Sequence, residues 1–250
     1  MIRLSILFIL FMTCQAIAQD IVGGLSQKRV AITARFEGSE ILIFGAVKRD
    51  APTEDNVEVI ITVAGPSEPI TVRRKSREFG IWINTAAVEV DAAPSFYSIA
   101  TTAPLGEILT NTEDLRHKIS IPRAIRSVGA PQTIADANTF TDALVRIRKQ
   151  EDLYQLNEGS VSLADQTLFQ TFITLPANLV EGSYETRIFL TRDGEVISTY
   201  TTAIDVQKVG LERWLYTLAH DQPLIYGFLS LFIAIAAGWG AAATFRLLNL

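Results

Sequence analysis

The chain has 250 residues, of which 48% are hydrophobic and 20% are charged, which excludes a disordered chain and suffices for one large domain or two small ones. Its 22 Lys and Arg residues and 27 Asp and Glu residues give a net charge of −5, which argues against a general binder of nucleic acid or anionic lipid. The single Cys excludes a disulfide framework and a Cys-based zinc module.

Residues 1–18 predict a secretory signal peptide. Arg3 supplies one positive charge, Leu4–Met12 is a short apolar run, and Ala16-Ile17-Ala18 provides a small-x-small cleavage pattern. The apolar run is well short of the roughly 20 residues that a membrane-spanning helix needs. We therefore expect the mature chain to begin at Gln19 and, because it then lacks Cys and Asn-x-Ser/Thr sites, to lie in a bacterial periplasm.

Residues 19–210 predict a mainly β ectodomain. Val57, Val59, Ile61 and Val63 show the two-residue alternation of a strand, and turn signals recur along the segment. This rhythm is typical of an immunoglobulin-like β-sandwich, built as one composite unit or as two packed lobes. Asp193-Gly194 predicts a two-residue hairpin turn between two further strands.

Residues 104–155 interrupt this pattern and predict a helical insertion. In its second half Asn138 or Thr139 can cap a helix, and Phe140, Leu144 and Ile147 are spaced to form one apolar face.

The C-terminal part predicts a membrane anchor. Residues 211–222 have the apolar spacing of an amphipathic juxtamembrane helix, and residues 223–246 predict a single transmembrane helix. The stretch Leu224–Phe245 carries no charge and at about 1.5 Å per residue spans a hydrocarbon core. With an exported N-terminus, Arg246 and the tail 247–250 are cytoplasmic, which predicts a single-pass inner-membrane protein with its bulk in the periplasm.

One stripe of the predicted transmembrane helix consists of small residues. Ser230, Ala234, Gly238 and Ala242 recur every four positions. Small residues at this spacing let a second helix approach closely in lipid. The stripe therefore predicts association with another membrane protein or with a second copy, although a helix that only anchors the chain remains the alternative.

The densest charge in the sequence is a basic cluster of Arg73, Arg74, Lys75 and Arg77. Four cations in an otherwise acidic chain predict a site for an inorganic anion or for an acidic patch of a partner. The alternative is a solvated strand end whose charges prevent edge-to-edge pairing.

Catalytic motifs are missing from the sequence. It has no nucleophile elbow, phosphate loop or dinucleotide fingerprint. His117 follows Glu113 by four residues, so a helix would align the two as metal ligands, but no third ligand is evident. We therefore predict no catalytic residue, no metal site and no cofactor, and a protein that is not an enzyme.

Several segments, taken in order, resemble a family of alphaproteobacterial membrane proteins of unknown function that have a signal peptide and one C-terminal helix. The resemblance implies no active-site residue, and it implies a neighbouring permease similar to sulfite exporters as partner. The segments are Phe79–Asn84, Phe96–Ala100, Ala143–Arg148, Leu175–Leu179, Gly182–Tyr184 and Arg192–Gly194.

Two functions follow as hypotheses. The first is a non-enzymatic, membrane-anchored periplasmic accessory subunit of an inner-membrane assembly, which the resemblance associates with such a permease. The second is a tethered periplasmic module that binds an anion or an envelope component through the basic cluster.

Overall fold

A computed structural model describes residues 20–32, 38–48, 56–127 and 136–248. The predicted signal peptide at 1–18 lies outside the described residues, as do residues 249–250 of the predicted tail. By Cα proximity the described chain divides into two units, one holding residues up to 30 and 38–205, the other residues 31–32 and 206–248.

The first unit is mainly β, as predicted, although the immunoglobulin-like sandwich is not confirmed, because the sheets are curled. A four-stranded sheet has the order β1-β3-β10-β9, a six-stranded sheet has the order β2-β12-β11-β4-β7-β8, and β5 and β6 form a hairpin of their own. The strands are β1 (Asp20–Leu25), β2 (Arg29–Ile32), β3 (Ser39–Lys48), β4 (Glu58–Ala64), β5 (Ser67–Glu78), β6 (Ile81–Pro94), β7 (Tyr97–Thr101), β8 (Tyr154–Asn157), β9 (Ser162–Ala164), β10 (Leu168–Leu175), β11 (Gly182–Arg192) and β12 (Glu195–Lys208).

Burial along the strands follows their position in the sheets. On β10 every second side chain is buried, from Phe169 to Leu175, because one face of this strand packs on the core and the other meets solvent. On β4 the residues from Val59 to Val63 are all buried. The predicted alternation of β4 is therefore wrong as a pattern of exposure, since both faces of this central strand are covered.

The helical segment connects β7 to β8, which pair in parallel with Tyr97 opposite Tyr154. A parallel pair requires a long crossover, and the helices provide it. They are α1 (Leu105–Ile108), α2 (Asn111–His117), α3 (Ile121–Ala124) and α4 (Ala137–Gln150).

Helix α4 differs from its prediction at two positions. Its N-cap is Asp136 rather than Asn138 or Thr139, because the helix begins at Ala137 and both predicted residues lie in its first turn, where the Thr139 hydroxyl donates to the Asp136 carbonyl. Phe140 and Leu144 are buried as predicted, whereas Ile147 is exposed, because it lines an open groove beside β5.

The predicted hairpin at Asp193-Gly194 is confirmed. β11 and β12 are neighbours in the six-stranded sheet, and the two turn residues have φ values of 51° and 80°. Two successive positive φ angles are what a two-residue turn between twisted strands requires.

Buried tyrosines make the first unit sensitive to alkaline pH, and Tyr97 and Tyr154 are the two with the largest pKa shifts. The Tyr97 hydroxyl donates to the Ile119 carbonyl over 2.8 Å, and the Tyr154 hydroxyl donates to the Pro94 carbonyl over 2.8 Å. Burial raises the pKa of each phenol from 10.0 to about 12. Because the folded pKa exceeds the unfolded one, the stability contributed is complete below pH 10 and is lost as the pH rises towards 12.

We expect the thermal midpoint of the full chain in detergent to be constant between pH 8 and 9.5 and to fall steeply from pH 10 to 12. One pKa unit corresponds to about 1.4 kcal/mol, so the two phenols together cost a few kcal/mol. Circular dichroism melts measure the fall. The double variant Tyr97→Phe/Tyr154→Phe, although less stable at pH 8, should lose much less on alkalinisation, and an equally steep fall in that variant would contradict the assignment.

The second unit contains two consecutive helices, α5 (Leu211–Asp221) and α6 (Pro223–Leu248). Gln222 separates them, and its N–H donates to the Leu218 carbonyl at the end of α5. Pro223 occupies the first position of α6, where a missing N–H costs nothing. Helix α6 is apolar on all sides, the pattern of a helix surrounded by lipid rather than one that lies on a core.

Candidate functional site

The predicted helix-association stripe lies on α6 with all four members exposed. Ser230 donates to the Gly227 carbonyl one turn back, which satisfies its hydroxyl within the helix. Nothing lies within 4 Å of the position that a Cβ on Gly238 would occupy. At 100° per residue Ser230, Ala234, Gly238 and Ala242 form a slowly turning line along one side of the helix.

Helix α5 approaches the first half of this stripe. Leu215 of α5 and Ser230 and Ala234 of α6 line a small groove of about 270 Å³ between the two helices. Gly238 and Ala242 lie beyond this groove. The second half of the stripe is therefore the part that a partner helix could reach without displacing α5.

The basic cluster lies on β5, on the long hairpin that β5 forms with β6. Arg73, Lys75 and Arg77 occupy alternate positions and so point to one face, whereas Arg74 points to the other. The Arg74 guanidinium donates to Asp136 over 2.5 Å and to the Thr139 hydroxyl over 2.8 Å. The Arg74 side chain is therefore already hydrogen-bonded to residues at the start of α4.

The Arg74 contact has an electrostatic and an aromatic part. Hydrogen bonding from Arg74 holds the pKa of the Asp136 carboxyl below its usual value. The guanidinium carbon also lies 4.4 Å from the centre of the Phe140 ring, a cation–π contact. Together they fix one side of the hairpin against α4.

An open groove of about 710 Å³ lies between β5 and α4. Residues 73–75 of β5 line it, with the Arg74 side chain directed at α4, but so do Asp136 and Asp142. The groove thus carries charges of both signs. We propose no site for an inorganic anion here, since its central cation is already paired.

The predicted His117–Glu113 pair is part of a set of polar contacts around the buried Glu113 carboxylate. Nε2 of His117 lies 3.3 Å from Oε2 of Glu113, Arg116 donates to Oε1 over 2.5 Å, and the Val196 N–H donates to Oε2 over 3.4 Å. Among the residues that the structure describes, no group of three or more His, Cys, Asp and Glu side chains could hold a metal ion. The Glu113 oxygens serve to attach α2 to β12.

Sequence reasoning missed the apolar tip of the β5–β6 hairpin. The structure places Phe79 and Gly80 in the turn and continues β6 from Ile81 to Pro94. Phe79, Ile81, Trp82 and Ile83 are exposed. The available signal was three consecutive apolar residues after a turn, which must occupy both faces of a strand.

The described chain contains one helix able to cross a membrane by length and composition, Pro223–Arg246, with a mean hydropathy of 1.9. Joined to a mainly β unit, it defines a membrane protein with one C-terminal apolar helix in its described part. The model of a family described as "Putative transmembrane protein (Alph_Pro_TM)" matches residues 20–247. The chain belongs to this family. The family and the apolar helix together confirm the prediction of a membrane protein with one C-terminal apolar helix.

Other comparisons are distant. No curated protein matches the chain. Among solved structures the chain is similar to Spo0M, a sporulation control protein from Bacillus subtilis, with 10% identity and a TM-score of 0.28. The match covers 80% of this chain and 54% of that protein, so the chain spans about half of its length. A similarity this low supports no inference on fold or function.

Proposed function

We propose that this chain is a non-enzymatic accessory or interaction subunit of an inner-membrane assembly. Helix α6 anchors it, the β-rich unit lies in the periplasm after removal of the signal peptide, and Arg246 lies on the cytoplasmic side. The observation that supports this most is α6 itself, whose surface is exposed and carries no charge from Leu224 to Phe245, and whose small-residue stripe is open at Gly238 and Ala242.

The proposal that the chain is not an enzyme is supported by two ionisable groups that are already paired with other side chains. Glu113 is occupied by Arg116 and His117, and Arg74 is occupied by Asp136. In a catalytic site we would instead expect convergent polar groups that face an open cavity. The groove between β5 and α4 is open and carries charges of both signs, which suits contact with another protein better than enclosure of a substrate.

The partner that we propose first is a permease similar to sulfite exporters, the neighbour that the family resemblance implies. A second copy of this chain is the alternative, since a stripe of small residues can be complementary to itself. In both cases the close approach at Gly238 carries the interaction, because a larger side chain there would hold the two helices apart.

The double variant Gly238→Ile/Ala242→Ile is expected to lower recovery of the partner at least tenfold when the tagged full chain is purified from mild detergent. Mass spectrometry identifies and quantifies the proteins recovered. The control variant Ala236→Ile/Gly240→Ile makes the same two changes about 120° to 160° away around the helix and should leave recovery unchanged. Equal recovery with both variants would remove the stripe from the interaction. Recovery of the chain as a monomer without any other protein, even after crosslinking, would contradict the accessory-subunit function.

A further inference from the structure

The far end of the β5–β6 hairpin is an apolar tip with no cover from the described chain. β5 and β6 pair with one another in a two-stranded sheet of their own, joined by Phe79 and Gly80 at φ values of 50° and 88°. The exposed fractions are 103% for Phe79, 64% for Ile81, 67% for Trp82 and 39% for Ile83. Large apolar side chains grouped at this exposure mark a surface that contacts something other than water.

The apolar side chains surround the tip rather than forming one patch. Ile81 and Ile83 lie on one face of the hairpin, Trp82 lies on the opposite face, and Phe79 is at the end. A folded protein partner covers one face of such a two-stranded sheet and leaves the other face in water. A lipid medium surrounds the tip from all sides, so this arrangement favours a bilayer over a protein groove.

Charge is ordered along the hairpin behind the tip. Arg77 lies opposite Trp82 and Lys75 lies opposite Asn84, about 7 Å and 13 Å from Phe79 along the strand. The headgroup region of one leaflet is roughly 5–8 Å thick, so a tip immersed in acyl chains places Arg77 among the phosphates and Lys75 just above them. The acidic residues of the hairpin base, Glu68, Glu89 and Asp91, remain farther from the surface.

We propose that the tip of the β5–β6 hairpin inserts into an anionic lipid bilayer, with Phe79, Ile81, Trp82 and Ile83 among the acyl chains and the cations of β5 at the phosphates. Trp is the aromatic residue that membrane interfaces favour, and Lys and Arg near the surface attract anionic headgroups. The overall charge of −5 does not oppose this contact, because charges beyond about 10 Å are screened. The contact is independent of any partner of α6.

Glu78 is the one acid near the tip, and it provides a sensitive test. Its carboxylate lies one residue from Phe79 and accepts a hydrogen bond from the Ser76 hydroxyl over 3.4 Å. An ionised carboxylate at the phosphates is repelled, so Glu78→Gln should strengthen insertion severalfold. If Glu78 acted only in folding of the hairpin, Glu78→Gln would not strengthen the binding of lipid.

The test uses the full chain with Trp214→Phe and Trp239→Phe, so that Trp82 is the single remaining Trp and all Trp fluorescence comes from the tip. The chain is placed in nanodiscs with α6 in the bilayer, and phosphatidylglycerol with brominated acyl chains is supplied either in the disc or in added vesicles. We expect quenching and a blue shift of Trp82 emission in at least one of the two arrangements. Discs and vesicles of brominated phosphatidylcholine should give at least tenfold weaker binding.

Variants separate insertion from folding. Phe79→Ser/Ile81→Ser should abolish the quenching, and Lys75→Gln/Arg77→Gln should remove the preference for phosphatidylglycerol. The control variant Leu168→Ser/Phe172→Ser removes an apolar pair of similar exposure on β10. It should change neither the quenching nor the preference for phosphatidylglycerol. Unchanged circular dichroism melts verify that each variant is folded.

The proposal is overturned if Trp82 emission is unaffected by lipid in both arrangements. A photo-crosslinking side chain at position 82 in intact membranes gives a second criterion. Adducts to lipid support insertion, whereas adducts to protein alone overturn it and assign the tip to a protein partner.

Discussion

Replacing Gly45 with Ala is expected to lower the free energy of unfolding of the β-rich unit by about 2–3 kcal/mol. Gly45 lies on β3 with Gly23 of β1 on one side and Phe169 of β10 on the other. A Cβ at this position would lie 2.4 Å from Cζ of Phe169 and 2.5 Å from the Val22 carbonyl oxygen. The ring could rotate away, but the carbonyl belongs to the sheet and cannot move without breaking the pairing of β1 with β3.

The expected value lies at the upper end of the usual cost of overpacking, about 1–3 kcal/mol, because one of the two contacts is with backbone. Urea titration of the full chain in detergent, followed by the β signal in circular dichroism, measures it. Gly106→Ala is the matched control, since nothing lies within 4 Å of its added Cβ and the residue is in α1, where Ala is favoured. A Gly45→Ala variant as stable as the Gly106→Ala variant would contradict the close approach.

Removal of residues 223–250 is expected to transfer the chain from the membrane fraction to the soluble fraction almost completely. Helix α6 is the one described segment with the length and composition to cross a bilayer, and its insertion is effectively irreversible. The β-rich unit should remain folded, because its last strand ends at Lys208. Ultracentrifugation after a high-salt wash measures the distribution, since salt weakens the electrostatic part of any contact between the β5–β6 hairpin and lipid.

Two companion variants make this measurement specific. Ile235→Lys in the full chain places a charge near the centre of α6 at a cost of about 3 kcal/mol, and it should partly release the chain. Ile235→Leu keeps the helix apolar and should leave the chain in the membrane. A truncated chain that remains in the pellet after the salt wash would mean that another segment anchors the protein.

The α6 anchor and the β11–β12 hairpin are the elements that local sequence determined most fully. A charge-free run long enough to span a hydrocarbon core has few alternatives, because unpaired backbone groups in lipid are too costly. Asp193-Gly194 likewise defines its turn from two residues, because the positive φ angles it needs are accessible to them. Helical spacing also identified Phe140 and Leu144 as the buried face of α4.

The candidate site depended on contacts between distant parts of the chain. Arg74 reads as one of four equivalent cations in the sequence, yet it is paired with Asp136, 62 positions later, where α4 begins beside the hairpin. The remaining cations lie on the opposite face of β5. A binding site predicted from neighbouring residues on a strand is divided between two faces, because successive side chains alternate.

Sequence by itself determined the mainly β class, the helical connection, the hairpin turn at Asp193-Gly194 and the apolar anchor, because periodicity, turn chemistry and hydropathy are properties of short segments. Tertiary structure alone decided the sheet orders, the burial of both faces of β4 and the exposure of Phe79 and Trp82. An apolar residue is buried only if another element covers it. At the end of the β5–β6 hairpin the described chain supplies no such element, and we infer that the membrane does.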